Sequence, residues 1–440
     1  MLLRLIHKAA LASITLVLLG SSLIASAKVV GTNTPAQSIT RERIAQLPPV
    51  ERGAWLAYLE RSERRRQADK IAFQTELKRA GISVPTEPPH GFGARSLPLN
   101  REASWYAGAD ALRIADNVVS FQTPAGGWGK NFDLSKGSRL PGERYAPNNV
   151  SRFLSPDDFD TPKDPDWNYI GTIDNDATIT QIEFLAKIVS AVGTERSATY
   201  RTAFLQGIQY LFSAQFPNGG WPQVWPLEGG YHDAITFNDN AMVQAIDMMR
   251  SIADGRNEYA FVPADVRLHA RAAFERGMQC ILATQLMSGG RLAVWAQQYD
   301  ALTLMPVSAR NYEMPALSGS ESDDVMILLM DDLPNPTAEE QRAIRAAAAW
   351  FKKTAIYGQV YGPTAIGRGL TPKQGAGPIW ARYYQIDTDK PIFGDRDKSI
   401  HDDLSELSSE RRNGYSWFGS DPQRALDLFE NWSQQHPESK

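Results

Sequence analysis

Gln122-Thr-Pro-Ala-Gly126-Gly127-Trp128 and Gln215-Phe-Pro-Asn-Gly219-Gly220-Trp221 follow one pattern, Q-x-x-x-G-G-W. A decayed third copy runs Gln285-Leu-Met-Ser-Gly289-Gly290-Arg291. Repetition of this kind limits the fold more than composition does, because each unit must bury its apolar face against its neighbours. The paired glycines suit a helix end, where positive φ lets the chain turn sharply. A second repeat lies downstream: Asp174-Asn175-Asp176-Ala177 resembles Asn238-Asp239-Asn240-Ala241. Each opens a helix, where Asp and Asn cap free N–H groups. The spacings are irregular, which excludes an open solenoid of short repeats.

Apolar residues at three- and four-residue spacing predict helices over 107–121, 176–191, 198–214, 239–252, 264–285, 323–330 and 339–356. Strand-like alternation is scarce. The expected fold is all-α: an α/α toroid-type barrel of helical hairpins, with long irregular loops and few short strands. Loops at the helix ends would build one face around a central groove.

The chain divides into three parts. Residues 1–27 read as a secretory signal, with Arg4 and Lys8 before an apolar run and Ala25-Ser26-Ala27 as a small-x-small cleavage site. The mature protein is therefore expected in the periplasm or outside the cell, as a monomer with no membrane association. Residues 28–100 form a charged helical segment and a Pro- and Gly-rich linker. Its expected buried stripe is Trp55, Leu56, Tyr58, Leu59, Ile71 and Phe73. Residues 101–440 form the main domain.

Of 46 basic residues two lie in the signal, which leaves 44 against 50 acidic ones. Such a balance argues against unspecific nucleic-acid binding. The Arg64-Arg65-Arg66 run is interleaved with Glu60, Glu63 and Asp69 and reads as a solvated helix face. An acidic substrate would need local basic groups or a bridging cation. Cys280, the one cysteine, sits in an apolar helix and reads as a buried thiol.

Three clusters can carry chemistry. The two Asp/Asn segments each offer three oxygen-bearing side chains in a row, whereas a cap needs one. Such oxygens suit Ca²⁺, although neither segment has the spacing of an EF-hand. Trp128, Trp221, Trp225 and Tyr231, with Lys130 and Asn131, could hold sugar rings, and Trp225 and Tyr231 are expected to be exposed. Late in the chain stand Arg310, Arg382 and Arg396. G-x-S-x-G, H-E-x-x-H and P-loop motifs are missing.

Six motifs in order resemble the family 10 pectate lyases over most of residues 100–420. They are Gly126-Gly-Trp-Gly-Lys-Asn131, Thr172-Ile-Asp-Asn-Asp-Ala-Thr178, Pro217-Asn-Gly-Gly-Trp-Pro-Gln223, Ile235-Thr-Phe-Asn-Asp-Asn-Ala-Met242, Ala316-Leu-Ser-Gly-Ser-Glu-Ser322 and Ala381-Arg-Tyr-Tyr384. The resemblance implies a toroid-type fold and Ca²⁺-dependent eliminative cleavage of polygalacturonate. It implies calcium at Asp174, Asn175 and Asp239, and Arg310 as the base that takes the C5 proton. Lys130, Arg382 and Arg396 would bind substrate.

These roles suit the reaction. The C5 proton of galacturonate is α to a carboxylate, and removing it builds a second negative charge. Calcium and guanidinium groups would stabilise that charge as it develops. Arginine is normally protonated, so Arg310 is expected to be desolvated and crowded by cations, with activity rising into alkaline pH. Two rivals stand beside this reading. A glycoside hydrolase would use Asp176 and Asp239 as acid and base, and a binding protein would use Trp225 and Tyr231 without turnover.

Overall fold

A computed structural model describes residues 28–91, 97–193, 197–331 and 335–437. The expected signal, residues 1–27, lies outside them. Among the described residues the nine longer helices carry the fold: α1 (Pro49–Ala80), α2 (Ala109–Ser120), α3 (Ile179–Val192), α4 (Ala198–Ala214), α5 (Ala241–Asp254), α6 (Ala264–Thr284), α7 (Glu321–Asp331), α8 (Ala338–Thr354) and α9 (Pro422–Gln435). All seven helices expected from periodicity are present, with ends shifted by three residues at most. The clearest local start signal is at α8: Thr337 accepts the Glu340 N–H (3.3 Å), and the Glu340 carboxylate accepts that of Thr337 (2.6 Å). This reciprocal pairing satisfies two otherwise orphaned donors.

The helices pack in two rows. α2, α4, α6 and α8 are successive neighbours in one, and α3, α5, α7 and α9 in the other, with each pair α3/α4, α5/α6 and α7/α8 in contact. The glutamine and tryptophan of the repeat hold the first row together. Gln122 Nε2 donates to the Ala203 carbonyl (2.8 Å), Gln215 Nε2 to Ala273 (2.9 Å) and Gln285 Nε2 to Ala343 (3.0 Å), each bond crossing from one helix to the next. Trp128, Trp221, Trp295 and Trp380 are buried and donate their indole N–H to carbonyls of Val118, Leu211, Ile281 and Phe351. The third copy is therefore not decayed. Its tryptophan is displaced to Trp295 by the short hairpin Met287–Ser288 and Arg291–Leu292, and Trp380 makes a fourth.

Two glycines show how tightly the repeat is packed. A Cβ on Gly207 would stand 2.7 Å from Ile182 and 3.1 Å from the Trp128 ring; on Gly277 it would meet Ile246 and Trp221 at the same distances. The double glycines lie beyond the helix ends, in the turn itself. Gly126 (φ 103°) and Gly219 (φ 94°) press against backbone carbonyls of Gln206 and Arg276.

The N-terminal part joins the main body. Tyr58 and Trp55 of α1 pack on Phe216, and the Tyr58 hydroxyl donates to the Ala214 carbonyl (2.8 Å). Ile71, expected in the buried stripe, is exposed, because α1 turns that face to solvent. Strand β1 (Val29–Thr32) pairs antiparallel with Ser399–His401, which also pairs with Phe393–Gly394. The longest hairpin, Gln359–Thr364 with Gly367–Pro372, was not expected from the sequence. Cys280 is buried, and burial pushes its thiol up to about 12. Among the described residues no helix is long and apolar enough to cross a membrane.

Candidate active site

The Asp/Asn repeats do not cap helices. No side chain accepts an N–H at the cap positions Thr178 and Asn240. Instead the backbone turns left-handed: φ is 52° at Asn175, 62° at Asp176, 48° at Asp239 and 61° at Asn240. Asn and Asp enter this region more easily than other non-glycine residues, which explains their use at matching places in both repeats. The turns lie directly before α3 and α5, and α7 starts beside them. The turns before α3 and α5 thus line one polar cleft, and the start of α7 lines the cavity next to it.

Asp174 and Asp239 share this cleft of about 360 Å³ with Lys130, Asn175, Arg310 and Arg396. The Asn238 amide bridges the two carboxylates, donating to Asp239 Oδ2 (2.9 Å) and to Asp174 Oδ1 (3.4 Å). Lys130 Nζ donates to Asp174 Oδ2 and lies 3.5 Å from the Tyr169 ring centre. Asn175 Nδ2 donates to Asn131 Oδ1 (3.2 Å). Burial works to raise the Asp174 pKa, but Lys130 and Arg310 outweigh it and hold the carboxyl below its usual range. Burial and the Asp174 charge together push Asp239 up to about 6.

The donor set suits a hard divalent cation. Two carboxylates crowd into one buried space with amide oxygens beside them, their repulsion is unresolved at Asp239, and Asp174 already draws in an ammonium. Among the described residues no group of three or more Asp, Glu, His or Cys could hold a metal ion, so amide oxygens or substrate would have to complete the ligand shell.

Opposite the acids stand arginines. Arg310 is paired with the buried Glu313 through Nε (2.8 Å) and Nη2 (2.5 Å), and its side chain keeps 36 % of its surface exposed. Burial lowers the guanidinium pKa, yet the Glu313 carboxylate outweighs it and keeps the value well above the ordinary one. The expected crowding by cations is therefore overridden by an anion. Arg396 pairs with Glu410 (2.7 Å) and lies over the Phe153 and Tyr312 rings. Arg382 lies one layer back, in the adjoining cavity that also reaches Asp239. It pairs with Glu321 (2.5 Å) and touches the cleft through Asn238 Oδ1 (3.3 Å).

Several cleft residues carried no assigned role in the sequence reading. Asn238 and Gln223 stand inside repeat motifs that show their oxygens but not their direction, and Glu313 lies three residues after Arg310 with no motif to mark it. Arg411 and Tyr415 also line the cleft and had no sequence signal. Trp225 and Tyr231, expected to be exposed, are buried: Trp225 packs edge-on against Tyr210, and Tyr231 stacks on His232. Only the Tyr231 hydroxyl serves the cleft, donating to Asp160. An exposed sugar-binding platform at these two residues is thus ruled out. The acid pair of the hydrolase reading is also separated, because Asp176 lines a different cavity and accepts from Gln244 (2.6 Å).

A family model described as pectic acid lyase matches residues 122–426. Family 10 polysaccharide lyase from Cellvibrio cellulosa is 32 % identical with a TM-score of 0.62, covering 78 % of this chain and 97 % of its own. A mutant of that lyase in complex with trigalacturonic acid gives the same identity and TM-score, covering 78 % of this chain and 99 % of its own. No curated protein matches the chain. Fold and family together make the protein an enzyme, a polysaccharide lyase. The chain belongs to the pectic acid lyase family.

Proposed function

We propose that the protein is an exported, calcium-dependent pectate lyase that cleaves polygalacturonate by β-elimination, on two helix rows forming part of an α/α toroid. The observation that carries this is the cleft itself: the buried Asp174 and the half-buried Asp239 share a polar space with Arg310 and Arg396. A polyanion fits such a site only with a cation on the acidic side. Asp174, Asn175 and Asp239 would hold calcium, and when bound it supplies positive charge against the second charge that develops on the substrate carboxylate.

The chain's own groups do the rest. Lys130 and Arg396 bind and orient uronate carboxylates, and Arg382, expected to do the same, stands behind them and holds Asn238 in place. Arg310, held on a short loop, receives the C5 proton; the released electron pair forms the C4–C5 double bond, and O4 leaves with a proton from water. Because Glu313 holds the guanidinium charged, the base form becomes populated as pH rises. The complex of the Cellvibrio lyase with trigalacturonic acid supports the substrate class.

The test is direct: mature protein is mixed with polygalacturonate, with and without a chelator, and near-ultraviolet absorbance is followed. A chelator-sensitive rise from the 4,5-unsaturated product is expected. New reducing ends without that rise would instead indicate hydrolysis and overturn the elimination reading.

A further inference from the structure

The N-terminal strand lies outside the residues matched by the family model, yet it reaches the loop that carries Arg310. Asn33, directly after β1, keeps only 4 % of its surface exposed. Its side-chain amide Nδ2 faces three backbone carbonyls of one loop: Arg310 (3.3 Å), Asn311 (3.0 Å) and Glu313 (3.2 Å). Its Oδ1 accepts the Thr34 N–H (3.0 Å), and its own N–H donates to the Lys398 carbonyl (2.8 Å). The amide is therefore fixed at both ends. One residue on, the Thr34 carbonyl accepts from the Ser308 hydroxyl at the start of the same loop.

The loop is tied on its other side as well. Asn311 Nδ2 donates to the Arg396 carbonyl (2.7 Å), and Asn311 Oδ1 accepts the Phe159 N–H (2.9 Å). The convergence of three carbonyls is the telling feature. A loop closing on itself aims carbonyl dipoles inward, and a buried carbonyl without a donor is costly. The loop's own turn satisfies two of the three, with the Glu313 N–H on the Arg310 carbonyl (2.9 Å) and the Ala309 N–H on the Glu313 carbonyl (3.0 Å). Asn33 adds a donor to the Asn311 carbonyl between them and ties the turn to a distant part of the chain.

We propose that Asn33 is a positioning residue for Arg310, which makes the N-terminal strand a working part of the active site. This rests on Arg310 taking part in elimination. A displacement of about 1 Å at a reacting group can reduce turnover by about 100-fold. Loss of the Asn33 donor leaves the Asn311 carbonyl unpaired and unties the turn from the N-terminal strand, and should act on turnover more than on substrate binding, which Lys130 and Arg396 support from other elements.

The test is steady-state kinetics on polygalacturonate at saturating calcium, well below the melting temperature. Asn33→Ala should lower kcat about 10- to 100-fold with KM within about threefold. Asn33→Asp keeps the shape but faces a carboxylate to three carbonyls, and should be at least as impaired. Lys28→Ala, which removes an exposed ion pair to Asp402 just before the same strand, should leave kcat unchanged. In an Arg310→Ala background, Asn33→Ala should produce no further loss, since it acts through the missing side chain. If Asn33→Ala keeps kcat within twofold while Arg310→Ala abolishes turnover, or if the two losses simply multiply, the positioning role is refuted. If Arg310→Ala itself retains near-wild-type turnover, the underlying role of Arg310 fails instead.

Discussion

Arg310 is the residue on which the chemistry turns, and its pairing with Glu313 sets the sign of the pH response. The carboxylate favours the charged guanidinium, so the neutral base is scarce at neutral pH and grows about tenfold per pH unit below its pKa. Lyase turnover at saturating calcium should climb into the alkaline range; an optimum below about pH 6 in a kcat–pH profile would exclude the role. Arg310→Ala should remove at least about 99.9 % of turnover, as expected for loss of a reacting group. Asp239 acts at the other end of the scale. Its folded pKa of about 6 lies above the ordinary carboxylate value, so its ionisation is disfavoured in the fold. In the calcium-free protein the corresponding stability is fully present below the ordinary carboxylate range and is lost as pH rises through about 6. Protons therefore compete with calcium, and the calcium concentration for half-maximal activity should increase as pH falls below about 6. Assays titrating calcium at several pH values would show a flat dependence if Asp239 were not a ligand.

At the scale of the element, the sequence showed the repeats but not what each repeat residue does. Periodicity placed α4 at its observed bounds because its apolar stripe is regular from end to end. The Asp/Asn runs were visible, yet their left-handed backbone was not, since the same letters also suit a helix cap. The third repeat looked decayed because a hairpin inserted before Trp295 broke the spacing, and only packing restores the match. Likewise Tyr231 sits in a polar, Gly-rich loop that reads as surface, while the folded chain closes over it. The repeat glycines give an element-scale prediction. Gly207→Ala gains helix propensity of about 1 kcal/mol but drives a methyl into Ile182 and Trp128. Overpacking of this kind costs about 1–3 kcal/mol, so the thermal midpoint should fall, and a rise would show that the helices can spread.

For the whole molecule, helical class was legible from period, and the cleft's acidic side from the motifs. The arginine wall was less so, because Arg310, Arg396 and Arg411 reach it from scattered short segments whose approach is fixed only by long-range packing. The acids and arginines belong to different parts of the fold, so filling the cleft should couple them. Chelation is expected to lower the melting temperature above pH 6, where both carboxylates are ionised. A ligand at 100 times its Kd contributes about 2.7 kcal/mol, and equal melting curves with and without chelator would argue against a cation at Asp174 and Asp239.

The pairing of Val29–Thr32 with Ser399–His401 joins segments separated by nearly all of the described residues. Contacts so distant along the chain close slowly, after the loops between them have been ordered. Val29–Thr32 therefore gains its partner only late in folding, and the Arg310 loop, which Asn33 touches, waits with it. The helix rows can assemble pair by pair beforehand, but with Asn33 in its proposed role full turnover awaits the closing of this strand pair.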